Sequence, residues 1–342
     1  MLDTFLFALD AVLPIVLLIF LGYGIKKIGF LDEAWFKKGN KFIFKLALPV
    51  LLFYNVYNIE SFDAINWSVV IYAELMILLI FCIGLLVVHL TIQDPRQKGV
   101  VLQCIFRSNF AIIGLPLAEA IGGSEGMGIA AVLSAFSIPS FNILGVIALT
   151  MYQRDENGDK LGLKTTIKSI STNPLILGVA CGLVVLGIRS LIPVDSEGVP
   201  IFTLAYNMPF LFKAISSLAK IASPFALIVM GGLFDFAAVK ALRKQIAVGV
   251  SFRVVIVPVI ALGIAVLLSE YSGFVHFSPA CYPALVALFG SPVAVSSAIM
   301  AQEMDNDGTL AGQLVVWTSI ASIFTIFLIV AILKSIGILA VI

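Results

Sequence analysis

The chain has 342 residues, of which 61% are hydrophobic and 12% charged, and a net charge of +1. With a mean hydropathy of +1.10 it has too few polar groups to cover a water-soluble fold of this size, which excludes a soluble globular domain, and its near-neutral charge offers nothing to nucleic acid. The apolar residues fall in runs of roughly 20, enough to cross about 30 Å of hydrocarbon as helix, so the composition predicts an all-α polytopic membrane protein in a lipid bilayer.

In chain order these runs predict ten transmembrane helices, at residues 4–28, 38–58, 67–90, 98–121, 126–151, 170–191, 206–233, 243–269, 280–302 and 309–336. The first has only Met1, Leu2 and Asp3 ahead of it and no small-residue cleavage pattern, so it reads as a retained helix rather than a signal peptide. The second contains Lys45-Leu46-Ala47-Leu48-Pro49. Within the third stands Glu74, where an ionisable group costs about 2.5–3.5 kcal/mol by insertion scales. Two readings stay open for it: a proton or sodium coupling group, or a structural partner for Arg253 in the eighth span. The fourth span reads Arg107-Ser108-Asn109-Phe110-Ala111-Ile112-Ile113-Gly114-Leu115-Pro116. A charged link at residues 153–168 separates the fifth and sixth spans. Lys220-Ile221-Ala222-Ser223-Pro224 follows in the seventh span and Gly290-Ser291-Pro292 in the ninth. His89 and His276 fall near span ends and read as interfacial. Cys82, Cys104, Cys181 and Cys281 stand singly, without metal or disulfide spacing, and read as packing residues.

The proline-bearing segments recur. Pro49 and Pro116 are 67 residues apart, Pro224 and Pro292 are 68 apart, and Pro14 pairs with Pro174. Chance competes with this reading, since membrane helices are rich in glycine and proline. A unit of five spans must cross in opposite directions in its two copies. The expected architecture is therefore two inverted five-helix repeats, residues 1–152 and 169–342, joined by a cytoplasmic loop at 153–168. The links after odd-numbered spans, with the residues beside them, hold 17 of the 21 basic residues. Basic residues stay on the cytoplasmic side, so both termini are expected to be extracytoplasmic.

Gly-x-Pro within a span predicts a broken helix, because proline removes an amide donor and clashes with the preceding turn while glycine tolerates the resulting torsions. Asn109 lies eleven residues beyond Lys98, about 16 Å deep, and Gly290 ten beyond Ala280, about 15 Å deep from the other side. Two helices broken at one depth can cross and aim half-helix N-termini at a common point, which suits an anion. Asn109, Gly114, Pro116, Gly290, Ser291 and Pro292 are thus the candidate substrate-binding residues. Asn109 reads either as a direct ligand or as a cap of the broken helix. Ser291 and Ser296 are weaker candidates, since serine commonly bonds to its own helix. Arg107 is too deep merely to trail from the link: it attracts a carboxylate, pairs with an acid, or snorkels back to the interface. No His-Glu-x-x-His, Gly-x-Ser-x-Gly or Walker loop occurs, so enzyme chemistry, a metal site and nucleotide-driven pumping are not expected. Gradient-driven transport without a cofactor remains, with proton or sodium coupling open.

The stretch Arg107 to Pro116, together with Lys45 to Pro49 and Ser291-Pro292-Val293-Ala294 followed by residues 298–303, resembles the auxin efflux carrier family of bacterial permeases. Malonate permeases are members, and the plant auxin carriers are distant relatives. The resemblance covers nearly the whole chain. It implies ten spans in two inverted halves, with spans one, two, six and seven as a scaffold and spans three to five and eight to ten as a moving transport domain. It also implies crossing fourth and ninth spans, elevator-type alternating access, a homodimer in the cell membrane, and carboxylates such as malonate as substrates. The motif asparagine corresponds to Asn109, the crossover proline to Pro116, and the ninth-span proline to Pro292. Phe289 stands where a second asparagine would precede Gly290, and the central link is short beside the hydrophilic centre of the plant carriers, which argues against auxin itself. The rivals are a sodium/proton exchanger on a similar scaffold, which would want acidic groups at the crossing, and a membrane sensor that has kept the fold without transporting.

Overall fold

The computed structural model describes residues 2–58, 66–153, 167–168, 170–193, 201–272 and 275–339. Residues 154–166 of the expected loop lie outside these. Among the described residues the chain is helical, with no strand beyond one isolated antiparallel bridge between Ser108 and Val293. Its longer α-helices are α1 (Leu2–Lys27), α2 (Glu33–Phe42), α3 (Leu48–Tyr57), α4 (Trp67–Thr91), α5 (Pro95–Phe106), α6 (Leu115–Thr150), α7 (Pro174–Ser190), α8 (Pro209–Leu233), α9 (Arg243–Ser251), α10 (Val257–Val266), α11 (Cys281–Gly290), α12 (Ser296–Glu303) and α13 (Gly308–Ser335), with single turns at Leu204–Asn207 and Ala238–Ala241. Polar side chains cap several starts: Asp32, Asn66, Asp94, Asn173 and Asp307 each accept from an amide of the first turn.

Among the described residues five helical stretches are long and apolar enough to cross a bilayer: Trp67–Thr91, Phe110–Thr150, Pro209–Leu233, Arg243–Tyr271 and Gly308–Ser335. The first expected span is continuous in the 26-residue α1, while others are divided or short. Residues 280–302 are split by the extended segment after Gly290, residues 38–58 pass through a π turn, and α7 has 17 residues. The long stretch Phe110–Thr150 is itself folded at Gly123, whose φ of 61° and ψ of −154° suit only glycine. That fold falls where the sequence predicts a link between the fourth and fifth spans.

Three prolines share a local solution. Pro49, Pro116 and Pro258 each stand two residues beyond a π segment, Ile43–Ala47, Phe110–Gly114 and Phe252–Ile256 respectively. Proline clashes with the carbonyl four residues earlier and offers it no donor. That carbonyl belongs to Lys45, Ile112 or Val254, each inside the π segment, where the wider turn absorbs the misfit. The expected break at Gly114–Pro116 is therefore corrected: the helix continues through Pro116, and the interruption lies at residues 107–109.

The helices pack in two groups. α1, α2, α3, α7 and α8 contact one another, with α3 against α7 and α1 against α8, and α4–α6 pack with α9–α13. Gly22 and Gly231 bring α1 onto α8, and Gly178 and Gly182 bring α7 onto α3; a methyl at Gly22 would meet the Ile228 carbonyl and one at Gly178 the Pro49 carbonyl. Between the groups, α1 meets α13, α8 meets α12, and Asn40 Nδ2 on α2 donates to Glu303 Oε1 at the end of α12 (2.7 Å). Every residue of α11 is buried, enclosed by α6, α10 and α13.

Polarity is turned inward. Leu75, Leu86, Val259 and Leu328 are exposed on the outside, whereas Arg107, Asn109, Asn142, Arg253, Ser291, Gln313 and Thr318 are buried. A surface facing hydrocarbon requires that arrangement, since an unpaired polar group there costs several kcal/mol, roughly the worth of a small domain's whole margin of stability. His89 and His276 are exposed near helix ends, as expected. Cys104 and Cys281 are buried, but Cys82 and Cys181 are exposed, so the packing role expected for all four holds inside the protein for two.

Candidate functional site

α5 ends at Phe106 and α11 ends at Gly290, and the chain is extended at Arg107 (ψ 117°) and at Ser291 (ψ 150°). The two interruptions touch. Ser108 pairs with Val293 across the isolated bridge, and the Asn109 N–H donates to the Pro292 carbonyl at 2.8 Å. Beyond each interruption a new helix begins. Ile113 and Gly114 N–H both donate to Asn109 O (3.0 and 3.3 Å), so the amides of Phe110, Ala111 and Ile112 precede that hydrogen-bonded ladder. Ser297 N–H donates to Ala294 O (2.9 Å) and Ala298 N–H to Val295 O (3.1 Å), so the amides of Val295 and Ser296 precede the other.

Both helix starts face one cavity of about 60 Å³, several times the space one water needs. One wall consists of residues 107–112, Ile138, Phe141, Asn142 and residues 294–296; the other is Leu48, Leu51, Leu52, Asn55, Leu175, Ser223 and Ala226. The cavity therefore lies between the two helix groups.

Arg107 and Asn109 give it its chemistry. Arg107 is 3% exposed, and its Nη2 donates to Asn142 Oδ1 and Ser296 Oγ, both at 2.9 Å, while Nη1 contacts Met300 Sδ. Turning the Gln103 amide places its oxygen 3.0 Å from Nη1 and satisfies both groups. All these partners are neutral, and the acid pairing considered for Arg107 does not occur among the described residues; both ion pairs there are Glu33 with Lys26 and Lys37. Asn109 sits at the start of its helix, yet its side chain makes no capping bond, and its Nδ2 is buried without a partner, as is Ser108 Oγ. A cation with neutral neighbours and an idle amide donor, beside amides that precede the helix ladders, form a surface complementary to negative charge.

The other sequence candidates separate. Gly114 is buried where a side chain would meet the Phe110 ring and the Ala287 carbonyl, so it permits close packing rather than lining the cavity. Pro116 is exposed on the outer face. Gly290 and Ser291 are buried at the end of α11, and the Ser291 hydroxyl donates to the Ala287 carbonyl of its own helix (2.6 Å). Pro292 contributes its carbonyl to the joint with Asn109. Ser296 does line the cavity and holds Arg107. Asn142 was missed; the available signal was an amide in an otherwise apolar part of the fifth span.

Two expectations are overturned. Glu74 does not pair with Arg253: its Oε2 accepts from Ser140 Oγ at 2.5 Å, its Oε1 is buried without a partner, and it lies off the cavity. Arg253 is occupied by main-chain carbonyls. Arg107 and Arg253, counted among the basic residues of the links, are both buried where the two interruptions meet; without them 15 of the remaining 19 lie in or beside the links after odd-numbered spans of the sequence.

A family model described as "membrane transport protein" matches residues 7–330 of the chain. No curated protein matches it.

Proposed function

This chain belongs to the membrane transport protein family, that of the auxin efflux carriers, and we propose that within it the chain is a secondary transporter of small organic anions. That it is a multi-pass membrane transporter follows from the family and from its apolar helices. Carboxylates, malonate among them, are the substrates of this reading. One observation carries it: a buried guanidinium without an acidic partner and an unpartnered asparagine amide line the same cavity. The carboxylate would lie against Arg107 and Asn109, with Ser296 and Asn142 steadying the guanidinium.

The architecture of this reading is ten spans in two inverted repeats, 1–152 and 169–342, in the cell membrane with both termini outside. The pairing of α1 with α8 and of α3 with α7 supports it, because inverted repeats would make those contacts equivalent. α1–α3, α7 and α8 would be the scaffold, dimerising with a second copy, and α4–α6 with α9–α13 the moving part. A cavity bounded by both groups is what elevator-type alternating access requires, since sliding one wall past the other changes the side from which the site opens. The exchanger reading wants acidic groups at the crossing, and none lines the cavity among the described residues.

The test is uptake of a panel of mono- and dicarboxylates into reconstituted vesicles, with proton and sodium gradients varied independently. Saturable uptake of one or more carboxylates supports the proposal. Cation flux that persists without any organic solute would replace it with the exchanger.

A further inference from the structure

Arg253 is 0% exposed and stands in the π segment Phe252–Ile256 that precedes Pro258. Its Nε donates to the Ser291 carbonyl (3.0 Å), its Nη1 to those of Ile105 and Phe106 (3.3 and 3.2 Å), and its Nη2 to those of Leu288 and Phe289 (3.4 and 2.6 Å). Ile105 and Phe106 end α5; Leu288 and Phe289 lie in the last turn of α11, and Ser291 follows it. The last carbonyls of a helix lack intrahelical donors and together carry roughly half a negative charge. Two such ends meet here, out of reach of solvent, and their combined charge of about −1 equals in size that of one guanidinium. The five N–H groups of that guanidinium are matched by five carbonyls.

We propose that Arg253 is the resident counter-cation of the crossing: a positioning residue that neutralises both helix ends where a dissociable metal cation would otherwise have to bind. Since Arg107 and Asn109 follow directly on the end of α5, Arg253 sets where they stand. The cavity is thereby formed before substrate arrives and needs no metal ion at the crossing. The transport arm of the test rests on the function proposed above; the stability arm does not.

Purified wild type, Arg253→Lys and Arg253→Ala are compared for melting temperature in detergent, in sodium chloride against choline chloride, with and without low guanidinium chloride and with urea at equal concentration as control. Carboxylate uptake in vesicles is measured alongside. Wild-type melting and uptake are expected to be the same in sodium and choline. Arg253→Ala melts lower and loses uptake roughly 10- to 100-fold, the scale of one or two charged hydrogen bonds. Guanidinium, but not urea, restores part of both in that variant, and leaves wild type unchanged. Arg253→Lys falls between, because a single ammonium cannot span two helix ends. Wild-type values that require sodium, an Arg253→Ala variant equal to wild type, or a deficit that guanidinium does not reverse would each overturn the proposal. If Arg253→Ala cannot be purified even with guanidinium present, Arg253→Lys decides: equality with wild type overturns it, and lower melting at unchanged charge supports it. Failure to find any transported carboxylate would sink the proposed function while the melting data still judge Arg253.

Discussion

Two arginines are buried on opposite sides of one crossing and are employed differently. Arg253 is surrounded by main-chain carbonyls and has no donor left over. Arg107 borders a cavity and is held by an amide, a hydroxyl and a thioether, none of which balances its charge. The difference lies in what the chain supplies at each place. Where two helices end, the peptide dipoles provide the negative charge; where two helices begin, the dipoles have the same sign as the guanidinium, and the counter-charge must come from elsewhere. Burial of an arginine therefore says little until the polarity of the neighbouring helix ends is known.

That contrast can be tested by separating stability from transport. The largest effect is expected for Arg253→Ala, which leaves several buried carbonyls without donors and should lower stability by about 3 kcal/mol or more, read by thermal melting. Arg107→Gln should melt within a few degrees of wild type, because its partners are neutral and can bond an amide, yet reduce carboxylate uptake about 100-fold, the effect of losing a charge-assisted bidentate contact. Equal losses of stability in the two variants would erase the distinction. Asn109→Ala comes next, with an apparent affinity about 10-fold weaker and an unchanged melting temperature, because Nδ2 has no partner in the protein to lose. Unaltered affinity and rate for every transported compound would end its role as a ligand. Pro116→Ala should be the mildest, within about 0.5 kcal/mol and about two-fold in uptake, since Pro116 is exposed and the π segment already accommodates it.

The helical membrane fold was legible because lipid demands long apolar runs, and the fold of the chain at Gly123 fell in the link expected between the fourth and fifth spans. At the crossing, Arg107 and Asn109 were legible as polar groups deep within an apolar run, and the interruption after Gly290 was where Gly-x-Pro predicted it. Pro116 misled, because the same tripeptide pattern is absorbed by one extra residue per turn after Phe110, a register effect that composition does not reveal. Arg253 misled for another reason. Its partners are carbonyls, which every residue carries, so no side-chain pattern could point from position 253 to positions 105, 106, 288, 289 and 291; the nearest acid in an equivalent span, Glu74, was the visible alternative and the wrong one.

The joint between the interruptions, Ser108 against Val293 and the Asn109 N–H against the Pro292 carbonyl, is made wholly of peptide groups. No exchange of side chains deletes it, save a proline at Asn109. Side chains around it can therefore be exchanged while the two interruptions stay fastened, so the lining of the cavity can vary without loosening the joint that places it.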